Sequence, residues 1–287
     1  MGADRRPEHT NPPEIYYGDD EARKYTGNSH VIDVQTRLAR RSLELLALPP
    51  DEGPMTILDL GCGSGLSGEV ISEAGHHWVG CDIAPAMLDV AREREVAGDL
   101  MLHDMGDGLP FRSGTFDGAI SISAVQWLCN ADTSSANPRR RIRRFFESLY
   151  RVLNRGARAA LQIYPETTEQ AEMLAAAAMR AGFSGGLVVD FPHSTRAKKY
   201  FLVLMVGPST YQPQARGLDG EEEDEEVDAE GLEVYGRRGG KRRKVGGGVA
   251  KKDKGWIVKK KEQMRKKGYE NVPVSNKFTG RKRKARF

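Results

Sequence analysis

The sequence contains few of the residues that stabilise small secreted proteins or carry a chain into a membrane. Its 287 residues include only three cysteines, Cys62, Cys81 and Cys129. Their odd number and wide spacing exclude a disulfide framework and a CxxC zinc pair, so no metal site is predicted. No apolar run reaches the roughly 18 residues of a membrane-spanning helix, and the first residues lack the apolar core of a secretory signal. These absences favour a reducing, intracellular compartment.

Positive and negative charges are distributed unevenly, although the formal net charge is only +4. Residues 1–218 contain 23 basic and 27 acidic side chains. Residues 219–233 contain ten acidic side chains and no basic one, whereas residues 237–287 contain 21 basic and three acidic ones. A strongly basic segment of this kind predicts a polyanionic partner, most often nucleic acid.

Composition divides the chain into four segments. Residues 1–15 are rich in proline and charge and are predicted to be a disordered N-terminus. Residues 16–207 are predicted to form one domain. Residues 208–236 form an acidic linker that is too poor in apolar groups to offset the entropy cost of ordering. Residues 237–287 form a basic tail, for which RNA binding and nuclear targeting are expected and an ordered fold is not.

Residues 16–207 alternate between apolar runs typical of strands and amphipathic stretches typical of helices. A helical pattern first covers Tyr16–Leu48 and ends at Pro49. Seven strands are predicted, the last two close enough to pair antiparallel: Thr56–Leu60, Trp78–Ile83, Leu100–His103, Phe116–Ser123, Ala159–Tyr164, Leu187–Phe191 and Tyr200–Val206. Later helices are predicted at Leu66–Glu73, Pro85–Arg94, Arg140–Leu153 and Thr168–Ala181. This alternation predicts an α/β fold with a mostly parallel sheet covered by helices on both faces.

The sequence ILDLGCGSGLSG, residues 57–68, predicts a buried strand that leads through a tight loop into a helix. Gly61, Gly63 and Gly65 allow positive φ angles and let a ligand approach the backbone, with Cys62 between the first two. The dinucleotide fingerprint GxGxxG needs its third glycine at position 66, where this chain has a leucine. The loop therefore predicts a ligand site at the end of the first strand and disfavours a dinucleotide, with a purely structural turn as the alternative.

Carboxylates follow the next two predicted strands. Asp82 ends the second strand, where a carboxylate can accept hydrogen bonds from both hydroxyls of a ribose. Asp104 ends the third strand and is placed to accept a hydrogen bond from an adenine amino group. The apolar side chains expected on the two faces of the base are Ile83, Met87 and Met105. Together these residues predict an adenosine site at three successive strand ends.

A glycine loop followed by two such acids resembles the S-adenosylmethionine-dependent methyltransferases of the seven-stranded class. The resemblance implies a Rossmann-like class I methyltransferase sheet and S-adenosyl-L-methionine as cofactor. It implies that Asp59 holds the methionine ammonium, directly or through a water, with an ordinary exposed strand end as the alternative, and that Ser121 binds the cofactor. Tyr16, Tyr17 and Tyr25 are expected either to cover the cofactor as a lid or to pack against the sheet.

The fourth predicted strand should lead into the residues that face the transferred methyl group. It lacks the Asn or Asp followed by two prolines that is common in enzymes acting on exocyclic amines, and Cys129 lacks the setting of a cytosine-C5 nucleophile. Gln126 and Trp127 are the candidates to bind and stack on a planar acceptor, although Trp127 fits core packing equally well. No catalytic base is predicted. A ring nitrogen such as guanine N7 has no proton to lose, so its methylation needs alignment and desolvation rather than a base.

Longer stretches resemble one narrower family, the eukaryotic small-subunit ribosomal RNA guanine-N7 methyltransferases. They are NPPEIYYGDDEARKY (11–25), GCGSGLSG (61–68), GDLMLHDMGDGLPF (98–111), GAISISAVQWLCNAD (118–132), AGFSGGLVVDFP (181–192) and TGRKRKARF (279–287). The resemblance implies methylation of N7 of one guanine in 18S rRNA during ribosome biogenesis, in the nucleus and nucleolus with the cytoplasm as a further location. It also implies a heterodimer with a small zinc-binding activator protein, docked by strand addition at the third strand near Leu100–Leu102.

The basic tail contains four clusters of lysine and arginine that can neutralise phosphates. They are Lys241–Lys244, Lys259–Lys261, Arg265–Lys267 and Arg281–Lys284. Trp256, Tyr269 and Phe278 lie between them and are candidates to stack on unpaired bases. The tail also keeps a second function open, that of a pre-ribosomal assembly factor whose methylation activity is dispensable.

Overall fold

A computed structural model provides the structure of the protein. It describes residues 6–131, 137–194, 197–207 and 217–218, together with Lys261 and Arg265. The chain divides into two units, Met1–Gly236 and Arg237–Phe287. In the second unit the two described residues, Lys261 and Arg265, are helical. Apart from residues 217–218, Lys261 and Arg265, the predicted acidic linker and basic tail lie outside the described residues.

Seven strands form one sheet, as the sequence predicts. They are β1 (Thr56–Leu60), β2 (His77–Asp82), β3 (Asp99–Leu102), β4 (Phe116–Ile122), β5 (Leu153–Ile163), β6 (Phe183–Asp190) and β7 (Lys199–Val206). Their order across the sheet is β3-β2-β1-β4-β5-β7-β6. Among the described strands only β7 runs against its neighbours, pairing antiparallel with both β5 and β6. The order changes direction between β1 and β4, which opens a crevice beyond the carboxyl ends of these strands.

Two strands begin earlier than their apolar runs indicate. β5 begins at Leu153, which pairs with Phe116 of β4, and a register shift follows before Arg158 pairs with Gly118. β6 begins at Phe183 because its glycine-containing start pairs with the end of β7. Backbone hydrogen bonds to the neighbouring strand define where both strands begin, so the apolar pattern of the sequence does not reveal these positions.

Seven α-helices are described: α1 (Pro13–Tyr16), α2 (Asp19–Gly27), α3 (Ser29–Leu46), α4 (Leu66–Glu73), α5 (Pro85–Glu93), α6 (Pro138–Val152) and α7 (Thr168–Ala181). α4 and α7 have the predicted bounds, and Gly182 ends α7 with a left-handed φ of 107°. None of the described helices is long and apolar enough to cross a membrane.

The N-terminal region departs from the sequence-based expectation in two respects. The helical pattern of Tyr16–Leu48 is divided into the end of α1, α2 and α3. Asn28 separates α2 from α3, because it caps α3 by accepting hydrogen bonds from the amides of His30 and Val31. Residues 6–15, predicted to be disordered, include the 3-10 turn Pro7–His9 and most of α1. The guanidinium of Arg6 also donates to the carbonyls of Tyr164 and Pro165 beyond β5.

Apolar side chains pack on both faces of the sheet, as predicted for this class of fold. Neighbouring residues of β1 point to opposite faces, so that Ile57 joins the cluster beneath α3 and α4 while Leu58 joins the cluster beneath α6 and α7. Both residues are completely buried. The central strands are therefore held rigidly, and their carboxyl ends form a fixed rim for the loops that follow them.

Candidate active site

A cavity opens at the carboxyl ends of the central strands, where the strand order changes direction. Nine of the residues predicted to bind the cofactor or the acceptor line it: Gly61, Cys62, Gly63, Asp82, Ile83, Met87, Asp104, Met105 and Trp127. Four others do not: Asp59, Gly65, Ser121 and Gln126. The structure thus brings the glycine loop, both strand-end acids and the predicted apolar residues to one place.

The glycine loop is held in a backbone conformation that other residues rarely adopt. Gly61 has a φ of 72°, and its amide donates to the carbonyl of Cys81 at 2.8 Å. A Cβ atom at this position would lie 2.3 Å from the Cβ of Ala124, in the segment after β4. Gly65 caps the start of α4 with a φ of 81°. The first glycine therefore permits close approach to the β4 segment, and Gly65 shapes the loop without lining the cavity.

Asp82 connects the end of β2 to the glycine loop. Its Oδ2 accepts a hydrogen bond from the amide of Gly63 at 2.8 Å, and its Oδ1 accepts one from the amide of Ala84 at the same distance. Each carboxylate oxygen has a second lone pair and can accept another hydrogen bond. Burial raises the pKa of Asp82, while these amides act in the opposite direction. The carboxylate both organises the loop and keeps acceptor capacity toward the cavity.

Asp104 is paired with an arginine that sequence reasoning did not single out. The Nη2 of Arg141, in the first turns of α6, lies 2.8 Å and 2.7 Å from the two carboxylate oxygens of Asp104. Oδ1 also accepts a hydrogen bond from the amide of Gly106. Arg141 lines the cavity. Its Nε lies only 2.4 Å from the position that a Cβ atom on Gly106 would occupy, so the glycine makes room for the arginine. The predicted adenine-binding acid is therefore oriented by α6, a contact that only the fold reveals.

Asp59 lies beneath the glycine loop and is completely buried. Its Oδ2 accepts a hydrogen bond from the hydroxyl of Ser67 at 2.6 Å, and Ser67 itself lines the cavity. Within the described part of the chain, Oδ1 of Asp59 has no hydrogen-bond partner. Burial is the main cause that raises the pKa of Asp59 to about 7. A cation that reached this oxygen, or a water in contact with it, would satisfy an acceptor that is otherwise buried at a cost.

The end of β4 forms a strained turn that presents Trp127 to the cavity. Ser123 has a φ of 57°, unusual for a residue with a side chain, and its hydroxyl donates to Oε1 of Gln162 at 2.6 Å. Gln126 lies buried behind this turn, and its Nε2 donates to the carbonyl of Ser123 at 2.7 Å. Ser121 is also buried, donating to the carbonyl of Leu60 at 2.7 Å. Gln126 and Ser121 therefore support the cavity wall in this structure.

Aromatic rings from the N-terminal helices close one side of the cavity. Tyr17 and Tyr25 line it, with their ring centroids 5.9 Å apart. Tyr17 also lies 6.1 Å from Trp127. Burial raises the pKa of Tyr17 well above its usual value and that of Tyr25 likewise, so both phenols are neutral at pH 7. Tyr17 and Tyr25 thus border the cavity, Tyr16 does not line it, and the function of these rings as a lid stays a prediction.

Two further supports of the site were not anticipated from the sequence. Arg94, which follows α5, donates to the carbonyl of Ser64 and pairs with Glu69 at 2.6 Å, bracing the glycine loop from outside. His103 lines the cavity, and its Nε2 is hydrogen-bonded to the carbonyl of Gly108. Arg94 acts on a loop 30 residues away, whereas the partner of His103 lies in the same segment between β3 and β4. Cys129 is half-buried and its thiol pKa is raised to about 12, which disfavours a nucleophilic thiolate.

Comparison with known proteins identifies the family. Residues 58–161 match the family model of a methyltransferase domain, and residues 204–285 match one described as methyltransferase involved in Williams-Beuren syndrome. A probable 18S rRNA (guanine-N(7))-methyltransferase of Dictyostelium discoideum is 53% identical over 286 residues, covering 98% of this chain and 99% of its own. The mouse 18S rRNA (guanine-N(7))-methyltransferase is 53% identical over 283 residues, covering 99% and 98%. The chain belongs to the 18S rRNA guanine-N7 methyltransferase family.

This membership agrees with the fold and with the predicted cofactor. A phosphoethanolamine N-methyltransferase 2 of Haemonchus contortus, solved with S-adenosylhomocysteine, matches with a TM-score of 0.51 at 16% identity, over 67% of this chain and 58% of its own. At that identity the match concerns the fold alone. The chain is an S-adenosylmethionine-dependent methyltransferase.

Proposed function

We propose that this chain transfers the methyl group of S-adenosylmethionine to N7 of a guanine in 18S rRNA. The observation that carries the proposal is its similarity, over nearly the full length, to methyltransferases of that specificity. Asp82 would bind the ribose hydroxyls, Asp104 the adenine amino group and Asp59 the methionine ammonium. The bound cofactor supplies a methyl group on a positively charged sulfur, which an unprotonated ring nitrogen can attack directly.

The lining of the cavity suits an acceptor that needs no proton removed. The two acids that line it already accept hydrogen bonds, Asp82 from two backbone amides and Asp104 from Gly106 and Arg141. Nε2 of His103 is occupied by a backbone carbonyl. The proposal assigns both acids to the cofactor, so neither is left to act as a general base on the acceptor. The chain therefore contributes alignment and exclusion of water, which are the requirements for methylation at guanine N7.

Trp127 is the residue best placed to contact the guanine. The residue is 7% exposed, and its indole lines the cavity and packs beside Tyr17. A purine entering between the glycine loop and this wall would stack on the indole face. Gln126 would act indirectly, because its hydrogen bond to the carbonyl of Ser123 supports the turn from which Trp127 projects.

Cleavage chemistry tests the acceptor atom directly. The full chain is incubated with labelled S-adenosylmethionine and unmethylated small-subunit precursor particles, and the RNA is treated by reduction and aniline, which breaks the strand at N7-methylguanine. One break that is absent with Asp82→Lys is the expected result. Label without a break would keep the methyltransferase but exclude N7 as the acceptor. No label, despite measurable cofactor binding, would favour the assembly-factor alternative.

The same proposal includes a partner, a small zinc-binding activator docked at β3. This strand lies at one edge of the sheet and pairs only with β2 among the described strands. Leu102 on β3 is 59% exposed, which is unfavourable for an isolated edge and suits cover by an added strand. Leu102→Lys is expected to abolish co-purification with the activator, whereas Leu187→Lys on the opposite edge strand, β6, retains it. Equal retention by both variants would exclude the β3 edge.

Action on rRNA also supports a nuclear and nucleolar location. The basic runs of residues 237–287 fit import signals and phosphate contacts alike. A fluorescent fusion of the full chain, compared with one lacking these residues, tests the location. A cytoplasmic signal from both would contradict it.

A further inference from the structure

The first half of α6 carries a dense group of arginines. The helix contains six arginines and a single acid, Glu147. Its apolar residues, among them Ile142, Phe145 and Phe146, are buried against the sheet, so the charged residues occupy the outward and flanking sides. We define the basic face as Arg139, Arg140 and Arg143, all three of which are exposed. The positive end of the helix dipole adds to their charge.

The topology places this basic face beside the cavity. α6 follows β4, and a helix that follows a parallel strand begins at the edge of the sheet where that strand ends. That edge is the one at which the cavity opens. Arg141, in the same turn, lines the cavity, and the Cα of Arg140 is about 3.8 Å from its own. The inward side of the turn therefore belongs to the cofactor cavity, and its outward side carries Arg139, Arg140 and Arg143.

The arginines of α6 differ in whether they form ion pairs with acidic side chains, and at what distance. Arg141 pairs with Asp104 at 2.7 Å, and Arg144 approaches Asp107 at 3.6 Å. Arg143 approaches only Glu147, at 3.7 Å in an exposed pair. Within the part of the chain that the structure describes, Arg139 and Arg140 have no acidic partner. Exposed pairs contribute little to stability, so this accumulation of charge has no evident structural purpose.

We propose that Arg139, Arg140 and Arg143 bind the phosphates that flank the target guanine. The inference rests on the proposed function and adds the surface that positions the RNA. A strand that delivers one base into the cavity must bring its neighbouring phosphates to the rim, and the guanidinium fork matches a phosphate in two hydrogen bonds. The predicted contacts of the tail supply sequence-independent attraction, whereas α6 has a fixed position relative to the cofactor cavity.

A charge-matched pair of variants tests the surface. R139Q/R140Q/R143Q removes three charges with a residue of similar helix propensity. R92Q/R155Q/R180Q removes three exposed charges at the amino-terminal edge of the sheet, near the end of α5, in β5 and near the end of α7. The dissociation constant of a labelled 18S rRNA fragment is measured for each full-length chain between 50 and 300 mM KCl, together with the affinity for S-adenosylmethionine.

Loss of three phosphate contacts lowers the slope of log affinity against log salt by about 2, at about 0.7 per contact on single-stranded RNA. We expect this decrease, and an affinity loss of up to about 100-fold at 0.1 M salt, only for the α6 variant, with cofactor affinity unchanged. R139K/R140K/R143K, which keeps the charge, should restore most of the slope. Equal slopes for the two glutamine variants would overturn the proposal, because net charge alone would then explain the effect.

The outcome is separable from that of the proposed function. Aniline cleavage of RNA methylated by the wild-type chain reports on the acceptor atom, whereas the salt slope reports on the α6 surface without any turnover. A wild type that binds RNA through α6 but leaves no N7-methylguanine would refute the proposed reaction and retain the surface. If the wild type methylates N7 but R139Q/R140Q/R143Q binds RNA as the wild type does, the proposed reaction is retained and the α6 surface is refuted.

Discussion

The carboxylate of Asp82 accepts a hydrogen bond from the amide of Gly63 at 2.8 Å, so the end of β2 holds the loop that follows β1. Asp82→Asn replaces one acceptor oxygen by a donor, which would face the amide of Gly63 or of Ala84. Hydrogen bonds to charged groups contribute about 1.5–3 kcal/mol, so we expect the affinity for S-adenosylmethionine to fall at least about tenfold. Isothermal titration measures it, with the exposed Asp89→Asn as control. An unchanged affinity would exclude Asp82 from the cofactor site.

Gly61 tolerates no side chain for two separate reasons, a φ of 72° and an ideal Cβ position only 2.3 Å from the Cβ of Ala124. Gly61→Ala should therefore lower thermal stability and abolish methylation. Gly75→Ala is the matched control, because Gly75 has a φ of 82° and open space around the added carbon. The control should lose about 1–2 kcal/mol from backbone strain alone and keep activity. Similar activity losses in both variants would show that contact with the β4 segment is unimportant.

Arg141 should act on cofactor binding through Asp104. Arg141→Gln removes the ion pair and leaves the carboxylate held by the amide of Gly106 alone. We expect the KM for S-adenosylmethionine to rise about three- to tenfold while kcat changes less, since the methyl acceptor is not involved. Arg144→Gln, which loses only the looser contact with Asp107, is the control. A fall in kcat at unchanged KM would assign Arg141 to the substrate instead.

Asp59 should make stability depend on pH. Its folded-state pKa of about 7 lies above its unfolded value of about 3.9, so the folded state favours the protonated form. The stability associated with that form is present at low pH and is lost as the pH rises from about 4 to about 7. Asp59→Asn keeps the shape without the charge. Its free energy of unfolding, relative to wild type, should increase over that range in urea titrations followed by tryptophan fluorescence.

The affinity for the cofactor should depend on pH in the opposite sense to stability, because a bound ammonium favours the ionised form of Asp59. The affinity of the wild type for S-adenosylmethionine is expected to increase between pH 6 and pH 8, and that of Asp59→Asn should increase less. Parallel affinity profiles for the two proteins would place the ammonium elsewhere. Asp82, whose pKa is also raised, contributes a background that both proteins share.

Local sequence was sufficient for the framework of the site. The strand before Gly61, the loop itself and the acids at positions 82 and 104 form local patterns, because glycine conformation and strand alternation depend on near neighbours. The seven strands and the bounds of α4 and α7 follow for the same reason. The starts of β5 and β6 do not, since pairing with Phe116 and with the end of β7 involves residues distant in the chain.

The tertiary structure decided which side chains meet. Arg141 is 37 residues from Asp104, and Arg94 is 30 residues from Ser64, so no local pattern could indicate either contact. Burial likewise distinguishes Asp59, which is enclosed beneath the loop, from Asp82, which reaches the cavity, although both lie at the carboxyl end of a strand. The type of each residue and its local conformation were determined by the sequence. The environment that sets the charge and partners of each side chain came from packing between distant segments.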